Sequence, residues 1–298
     1  MKIGKRLLQS RVLPAGGYVK DAHALQSVLA TKVGAIVYGS ITFRPRTGNP
    51  DPVLHITEDG TSGNLIGLKN FGGEYHRREL PGFVEKTHAY QKPFILNIAG
   101  QDLAEYVEIA KIGVESGVDG IEINLSCGNV VTQDEVICFN LDLTAQIVNA
   151  ILNVIPKTIS VFVKISPFSN RFALKEMASL LAHFPITAVV AGNTFPDGFF
   201  FDSMGNTVIS GRGSAGIGGT ALRHISLGNV ALLKDTLPAH IEVIGCGGIA
   251  TGKHAWEHLR LGAVAVQVHT AARAKEPPHD ITPHIFDTIL WQLDQINS

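Results

Sequence analysis

The chain has 298 residues, of which 45% are hydrophobic and 17% charged, with a formal net charge of −1. A disordered chain would be more charged and less apolar, and 25 Lys+Arg against 26 Asp+Glu leave no basic excess for nucleic acid. No apolar run reaches the ~18 residues of a membrane span, and the start, with Lys2, Lys5 and Arg6, lacks the apolar core of a signal peptide.

In chain order, short apolar and mostly β-branched runs predict strands over 11–14, 35–38, 94–98, 120–125, 161–165, 188–191, 242–245 and 264–268. Amphipathic stretches predict helices over 21–30, 75–90, 103–116, 141–153, 171–183, 227–236, 251–261 and 283–296. Asp21, Asp102 and Thr251 are candidate N-caps. Eight strands alternating with eight helices predict one α/β domain over 1–298, a (β/α)8 barrel. The competing doubly wound sheet lacks its G-x-G-x-x-G after the first strand. Two excursions, 39–73 and 195–223, interrupt the rhythm. They read as long functional loops on the face where the strands end.

The residues just past the strands are unusual. They are Ala15-Gly16-Gly17, Gly39-Ser40, Asn97, Asn124 with Ser126-Cys127-Gly128-Asn129, Lys164, Asn193-Thr194, Gly245-Cys246-Gly247-Gly248 and 267–270. Glycine admits close approach of a ligand to backbone. Asparagine offers a donor and an acceptor on one plane, which suits a ring edge with amide or imide atoms. Glycines and a threonine after the last two strands suit a phosphate. There is no close carboxylate pair for glycosidase chemistry and no hard-cation ligand set. Cys127, Cys138 and Cys246 form no CxxC pair, so no iron–sulfur cluster, zinc site or disulfide framework is expected, and the setting is expected to be cytoplasmic.

Several motifs in order resemble the class 1 dihydroorotate dehydrogenases. They are Ala15-Gly16-Gly17, Arg46-Thr47-Gly48-Asn49-Pro50, Asn64-Leu65-Ile66-Gly67-Leu68-Lys69-Asn70, Asn124-Leu125-Ser126-Cys127-Gly128-Asn129, Val163-Lys164-Ile165-Ser166-Pro167, Gly192-Asn193-Thr194, Ala215-Gly216-Ile217-Gly218-Gly219 and Gly245-Cys246-Gly247-Gly248-Ile249. The resemblance implies an FMN-dependent barrel oxidising dihydroorotate to orotate in pyrimidine biosynthesis. It implies that Cys127 takes a proton from the substrate C5 while the C6 hydride goes to flavin N5. It implies that Lys164 faces the flavin N1–C2 edge, stabilising negative charge there. Asn64, Ile66, Gly67, Leu68, Asn124, Asn129, Asn193 and Thr194 would hold the substrate. Ala15, Gly16, Ser40, Asn97, Asn124, Lys164, Gly218, Gly219, Gly247, Gly248, His269 and Thr270 would hold the cofactor. Asn193-Thr194 resembles the subtype served by a separate iron–sulfur flavoprotein subunit, and a homodimer is expected.

Three positions depart from the family. Gly39 stands where a lysine helps hold the substrate carboxylate, with Arg44, Arg46 and Lys69 as candidate replacements. Gly128 replaces a proline, and His269 replaces a glycine beside the phosphate. Two other readings therefore stay open: an oxidoreductase for a dihydropyrimidine without the carboxylate, and a flavin- or ligand-binding barrel without turnover. His254 and His258 have metal-ligand spacing but not the H-E-x-x-H pattern, and read as a solvated or half-buried helix face. Trp291 and Leu293 read as packing.

Overall fold

The computed structural model describes residues 1–126, 136–210, 213–274 and 279–297. A hairpin, β1 (Lys2–Ile3) and β2 (Arg6–Leu7), precedes β3 (Val12–Pro14) and α1 (Ala22–Leu29). Next come β4 (Ile36–Ile41), β5 (Leu54–Ile56), β6 (Thr61–Asn64) and α2 (Gly73–Ala89). Strands and helices then alternate through β7 (Phe94–Ile98), α3 (Leu103–Glu115), β8 (Gly120–Asn124), α4 (Leu141–Val154), β9 (Ser160–Ile165), α5 (Arg171–Leu181) and β10 (Ala188–Ala191). The chain ends through β11 (Phe195–Phe199), β12 (Ser214–Gly219), α6 (Arg223–Thr236), β13 (Glu242–Cys246), α7 (Gly252–Arg260), β14 (Ala265–Val268) and α8 (His284–Asn297).

Eight strands pair in the order β3-β14-β13-β10-β9-β8-β7-β4, every ladder parallel. The seam between β3 and β4 carries no ladder. It closes through a parallel bridge between Val19 and Tyr38 and a hydrogen bond from Gly34 N to Val12 O at 3.0 Å. This is the predicted (β/α)8 barrel, and all eight predicted strands and helices are present.

Local chemistry accounts for the element ends. The side chains of Asp21, Asp102 and Thr251 accept from the backbone N–H three residues on, at 2.8, 2.9 and 3.2 Å. Each satisfies an otherwise unpaired first-turn donor. Helix α5 buries Leu174, Met177, Ala178 and Leu181, one stripe at helical spacing. Each large apolar side chain buried this way contributes about 1.5–3 kcal/mol.

Side chains also fill the barrel interior at its lower end. Ile3 from the N-terminal hairpin, Leu13, Val37, Ile95, Phe162, Val190 and Ile244 form one buried cluster. The cavity described below opens above this plug, where the strands end. His258, expected on a solvated or half-buried face, is fully buried. It faces Ser226 Oγ at 3.0 Å from Nε2, because α7 turns this face onto β13. Trp291 is the reverse case: it is 64% exposed, while Leu293 packs as expected.

The two excursions are not structureless. They pair with each other as an antiparallel sheet, β11-β12-β6-β5, in which Asn64 faces Gly216 and Thr61 faces Gly219. Leu65, Ile209 and Ala215, with Phe200 and Val208 against them, give this sheet its own small core. The segments 61–64 and 214–219 lack apolar alternation, so the strand signal was silent there. Their pairing is long-range, and glycine lets the layers meet. A Cβ on Gly219 (φ +68°) would lie 2.0 Å from Gly60 O.

At the lower rim a Cβ on Gly34 would lie 1.9 Å from Ser10 O. Gly34→Ala is expected to cost about 1–3 kcal/mol of unfolding free energy through overpacking. A urea titration reads the loss, and cofactor affinity stays unchanged because the site is at the opposite end.

Candidate active site

The strand ends and the four-stranded sheet enclose a cavity of about 430 Å³. That is the size range of a small-molecule or cofactor site. Its wall includes Ala15, Gly16, Ser40, Asn64, Ile66, Gly67, Leu68, Asn124, Lys164, Asn193, Thr194, Gly218, Gly219, Gly247, Gly248, His269 and Thr270. These are the sequence candidates with three exceptions. Cys127 and Asn129 lie outside the described residues. Asn97 does not line the cavity. It is fully buried beside Glu122 and donates its amide to Oε1 of that carboxylate, so it acts beneath the floor.

The floor is a chain of polar groups. Lys164, only 2% exposed, donates from Nζ to Gln267 Oε1 at 2.7 Å and stands 3.7 Å from Cys246 Sγ. Glu122, fully buried one layer below, lies 4.0 Å from the same Nζ and accepts from Gln267 and Asn97. Lysine and glutamate thus share one enclosed ion pair whose remaining hydrogen bonds are met by two amides. Burial pushes the Cys246 thiol pKa up, with the Lys164 charge opposing, so Cys246 stays a neutral thiol at neutral pH.

The asparagines form a second network. Asn124 Oδ1 accepts from Ser126 N and Oγ at 3.2 and 2.6 Å and from Asn193 Nδ2 at 3.4 Å. Asn124 Nδ2 points to Ser40 Oγ at 3.3 Å, and Asn64 Nδ2 reaches Gly216 O at 3.4 Å. Three amide groups from β6, β8 and the end of β10 thus reach one cavity, braced by hydroxyls. Such a set reads the edge of a flat heterocycle.

One wall has an unusual backbone. Gly67 and Leu68 are both left-handed, at φ +71° and +56°. For leucine this conformation costs about 1 kcal/mol or more and marks a site that needs it. The N–H groups of both residues find no acceptor among the described residues, whereas Gly67 O accepts from Arg46 Nε at 3.0 Å. Consecutive N–H groups held this way form an anion-binding nest. Arg46 therefore braces the nest rather than lining the cavity, and Arg44 pairs with Glu105 at 3.3 Å. Neither supplies a cation to the wall, and Lys69 does not line it.

The departure at Gly39 is built into the backbone. Its φ is +95°, and a Cβ there would lie 2.6 Å from Asn97 O. A lysine does not fit this conformation. His269 sits edge-on to Tyr18, with ring centroids 5.8 Å apart. Burial, joined by the charges of Arg273, Lys20 and Lys164, holds its pKa well below the ordinary value, so the ring is neutral at neutral pH.

The cavity also takes residues that the sequence reading missed, among them Lys20, Ser62, Asp59, Asp197 and Arg273. Ser62 Oγ meets Thr270 Oγ1 at 3.0 Å, which ties the small sheet to the end of β14. Most of these residues ride on the sheet whose strands carried no pattern, so no local signal marked them. Among the described residues no group of three or more His, Cys, Asp or Glu is placed to hold a metal. The donor set fits a phosphorylated, flat cofactor instead. A lysine lies in the floor, glycine backbone and hydroxyls gather at one end, and Arg273 Nε is buried without an acceptor among the described residues.

Replacing Glu122 by leucine strands the Lys164 charge in a closed interior. The expected loss is about 3–5 kcal/mol of unfolding free energy, measured by chemical denaturation. A loss below 1 kcal/mol would mean that the pair is not enclosed as described.

The comparisons with known proteins agree with this geometry. A family model described as dihydroorotate dehydrogenase matches residues 2–293. Dihydroorotate dehydrogenase A (fumarate) of Lactococcus lactis subsp. lactis is 33% identical over 285 residues, covering 95% of this chain and 88% of the relative. A probable dihydroorotate dehydrogenase A (fumarate) of Enterococcus faecalis is 30% identical over 301 residues, covering 98% and 91%. In fold, the chain matches a crystal structure of a ligand-free DHODH from Eimeria tenella with a TM-score of 0.81 and 21% identity, covering 99% of this chain and 86% of the other. The chain belongs to the dihydroorotate dehydrogenase family, in its class 1 branch, and is an FMN-dependent oxidoreductase acting on a CH–CH bond.

Proposed function

We propose that the chain oxidises (S)-dihydroorotate to orotate in de novo pyrimidine biosynthesis. The observation that carries this reading is the nest at Gly67 and Leu68. Two N–H groups without an acceptor among the described residues, close in sequence to Asn64, suit a carboxylate on a ring whose amide edges face Asn64, Asn124 and Asn193. Backbone donors do here what a side-chain cation would otherwise do, which fits a wall where Gly39 excludes a lysine. Charge-assisted hydrogen bonds of this kind contribute about 1.5–3 kcal/mol each.

FMN, when bound, supplies the acceptor for the hydride. The protein's own residues do the rest. The asparagine edges orient the ring, and Lys164, anchored by Gln267 and neutralised by Glu122, presents positive charge from the floor. Cys127, which follows Ser126 at the cavity wall, is the proposed base for the C5 proton, on the strength of the family resemblance. The relatives' names make fumarate the first electron acceptor to try. Asn193-Thr194 keeps a separate iron–sulfur flavoprotein subunit as the alternative route. No described helix is long and apolar enough to cross a membrane, and a cytoplasmic homodimer is the proposed working form.

A second reading has one observation in its favour. The cations lining the described wall are Lys20, Lys164 and Arg273, and none belongs to the segments that carry the asparagines and the nest. A neutral dihydropyrimidine would fit that wall as well.

One anaerobic experiment separates these readings. Dihydroorotate is expected to bleach the flavin absorbance of the FMN-loaded protein, and dihydrouracil to leave it unchanged. Bleaching by dihydrouracil alone would establish the neutral substrate, and bleaching by neither would leave a binding barrel. In Cys127→Ser the FMN content is expected to persist while the reduction rate at neutral pH falls by roughly 100-fold or more, the low end of general-base catalysis. An unchanged rate would remove Cys127 from the chemistry.

A further inference from the structure

Beyond the glycine-rich backbone and Thr270, the cavity end carries a cationic side chain that the fold does not require there. Arg273 lies three residues past Thr270 and lines the cavity with His269, Lys20 and Ala250. Its guanidinium stacks over the Tyr18 ring, 5.3 Å from the centroid. One Nη1 hydrogen bond, 3.4 Å long, reaches His279 O. Its Nε is buried and finds no acceptor among the described residues. An arginine head held this way has its apolar face satisfied by the aromatic ring and part of its donor edge unspent.

Charges of both signs surround it. Asp21 and Asp280 act on Arg273, while Arg273, Lys20 and Lys164 all act on His269. His269 is neutral there, so it adds a ring but no charge. Tyr18 fixes the plane of the guanidinium. The tyrosine is itself anchored through its hydroxyl to Ala272 O at 2.8 Å and packed edge-on to Phe286 at 5.4 Å. The arm is therefore pre-positioned, and little side-chain entropy is lost when it takes a ligand.

We infer that Arg273 is a charged clamp for the cofactor phosphate, added to the backbone cradle at Gly247, Gly248 and Thr270, so that this chain discriminates FMN from riboflavin through a side chain. The inference rests on FMN as the cofactor and is independent of which dihydropyrimidine is oxidised.

Binding of FMN and of riboflavin to the cofactor-free protein, followed by quenching of flavin fluorescence, tests it. In Arg273→Gln, which keeps a donor for His279 O but loses the charge, FMN affinity is expected to fall about 10- to 100-fold. Riboflavin affinity is expected to stay within about 2-fold. The salt dependence of FMN binding should flatten, and Arg273→Lys should recover part of the loss. Equal weakening of both flavins would show that Arg273 only braces the 272–279 turn. Unchanged FMN affinity would show that the guanidinium does not reach the phosphate. Either result overturns the clamp. If Arg273→Gln does not fold, Arg273→Lys carries the same comparison, because an ammonium keeps the charge but loses the planar stack on Tyr18. A fall in FMN affinity with riboflavin affinity unchanged is then expected, and an equal fall or none for both flavins overturns the clamp.

Discussion

A lysine enclosed at the centre of a barrel has to be neutralised by groups that the barrel itself brings there. Lys164, Gln267, Glu122 and Asn97 come from four different strands and meet only when the sheet is closed. Their arrangement divides the interior in two. Below them Phe162, Ile3 and their neighbours fill the barrel as an ordinary apolar plug. Above them the space stays open, and every cavity-lining group is placed relative to a floor that carries a fixed charge. Desolvating one charge alone would cost several kcal/mol. The paired floor avoids that cost and keeps a positive group beneath whatever flat ring lies on it.

The barrel was largely legible in the sequence because its signals are local. β-Branched runs such as Phe94–Ile98 and Ala188–Ala191, with side-chain caps at Asp21, Asp102 and Thr251, depend on neighbours a few residues away. The glycines and asparagines at the strand ends were legible because a parallel barrel brings all such ends to one face. The small sheet was not. Its strands Thr61–Asn64 and Ser214–Gly219 have no apolar period, and each is specified only by the other. Asn97 stands off the cavity lining for a related reason. Its place at a strand end is the same as that of Asn124, and only the register opposite Glu122 turns it below the floor.

Gly39 and the 67–68 pair are both set by unusual backbone conformations. At Gly39 the chain takes a left-handed turn that excludes any side chain. At Gly67 and Leu68 it takes two more, one of them strained, at residues that line the cavity and whose N–H groups have no acceptor among the described residues. Recognition of a negative group by rigid backbone donors loses the long-range pull of a full charge but gains geometric selectivity. A chain with a net charge near zero has little long-range pull in any case.

The small sheet also bears on the order in which the molecule assembles. Asn64 and Gly216 are 152 residues apart in sequence, so their pairing carries a large loop-closure entropy unless the intervening strands are already in place. The upper boundary of the cavity is therefore a non-local part of the fold, as is the β3–β14 ladder of the barrel. A ligand in the cavity touches that boundary and the barrel floor together, so its binding free energy stabilises both at once.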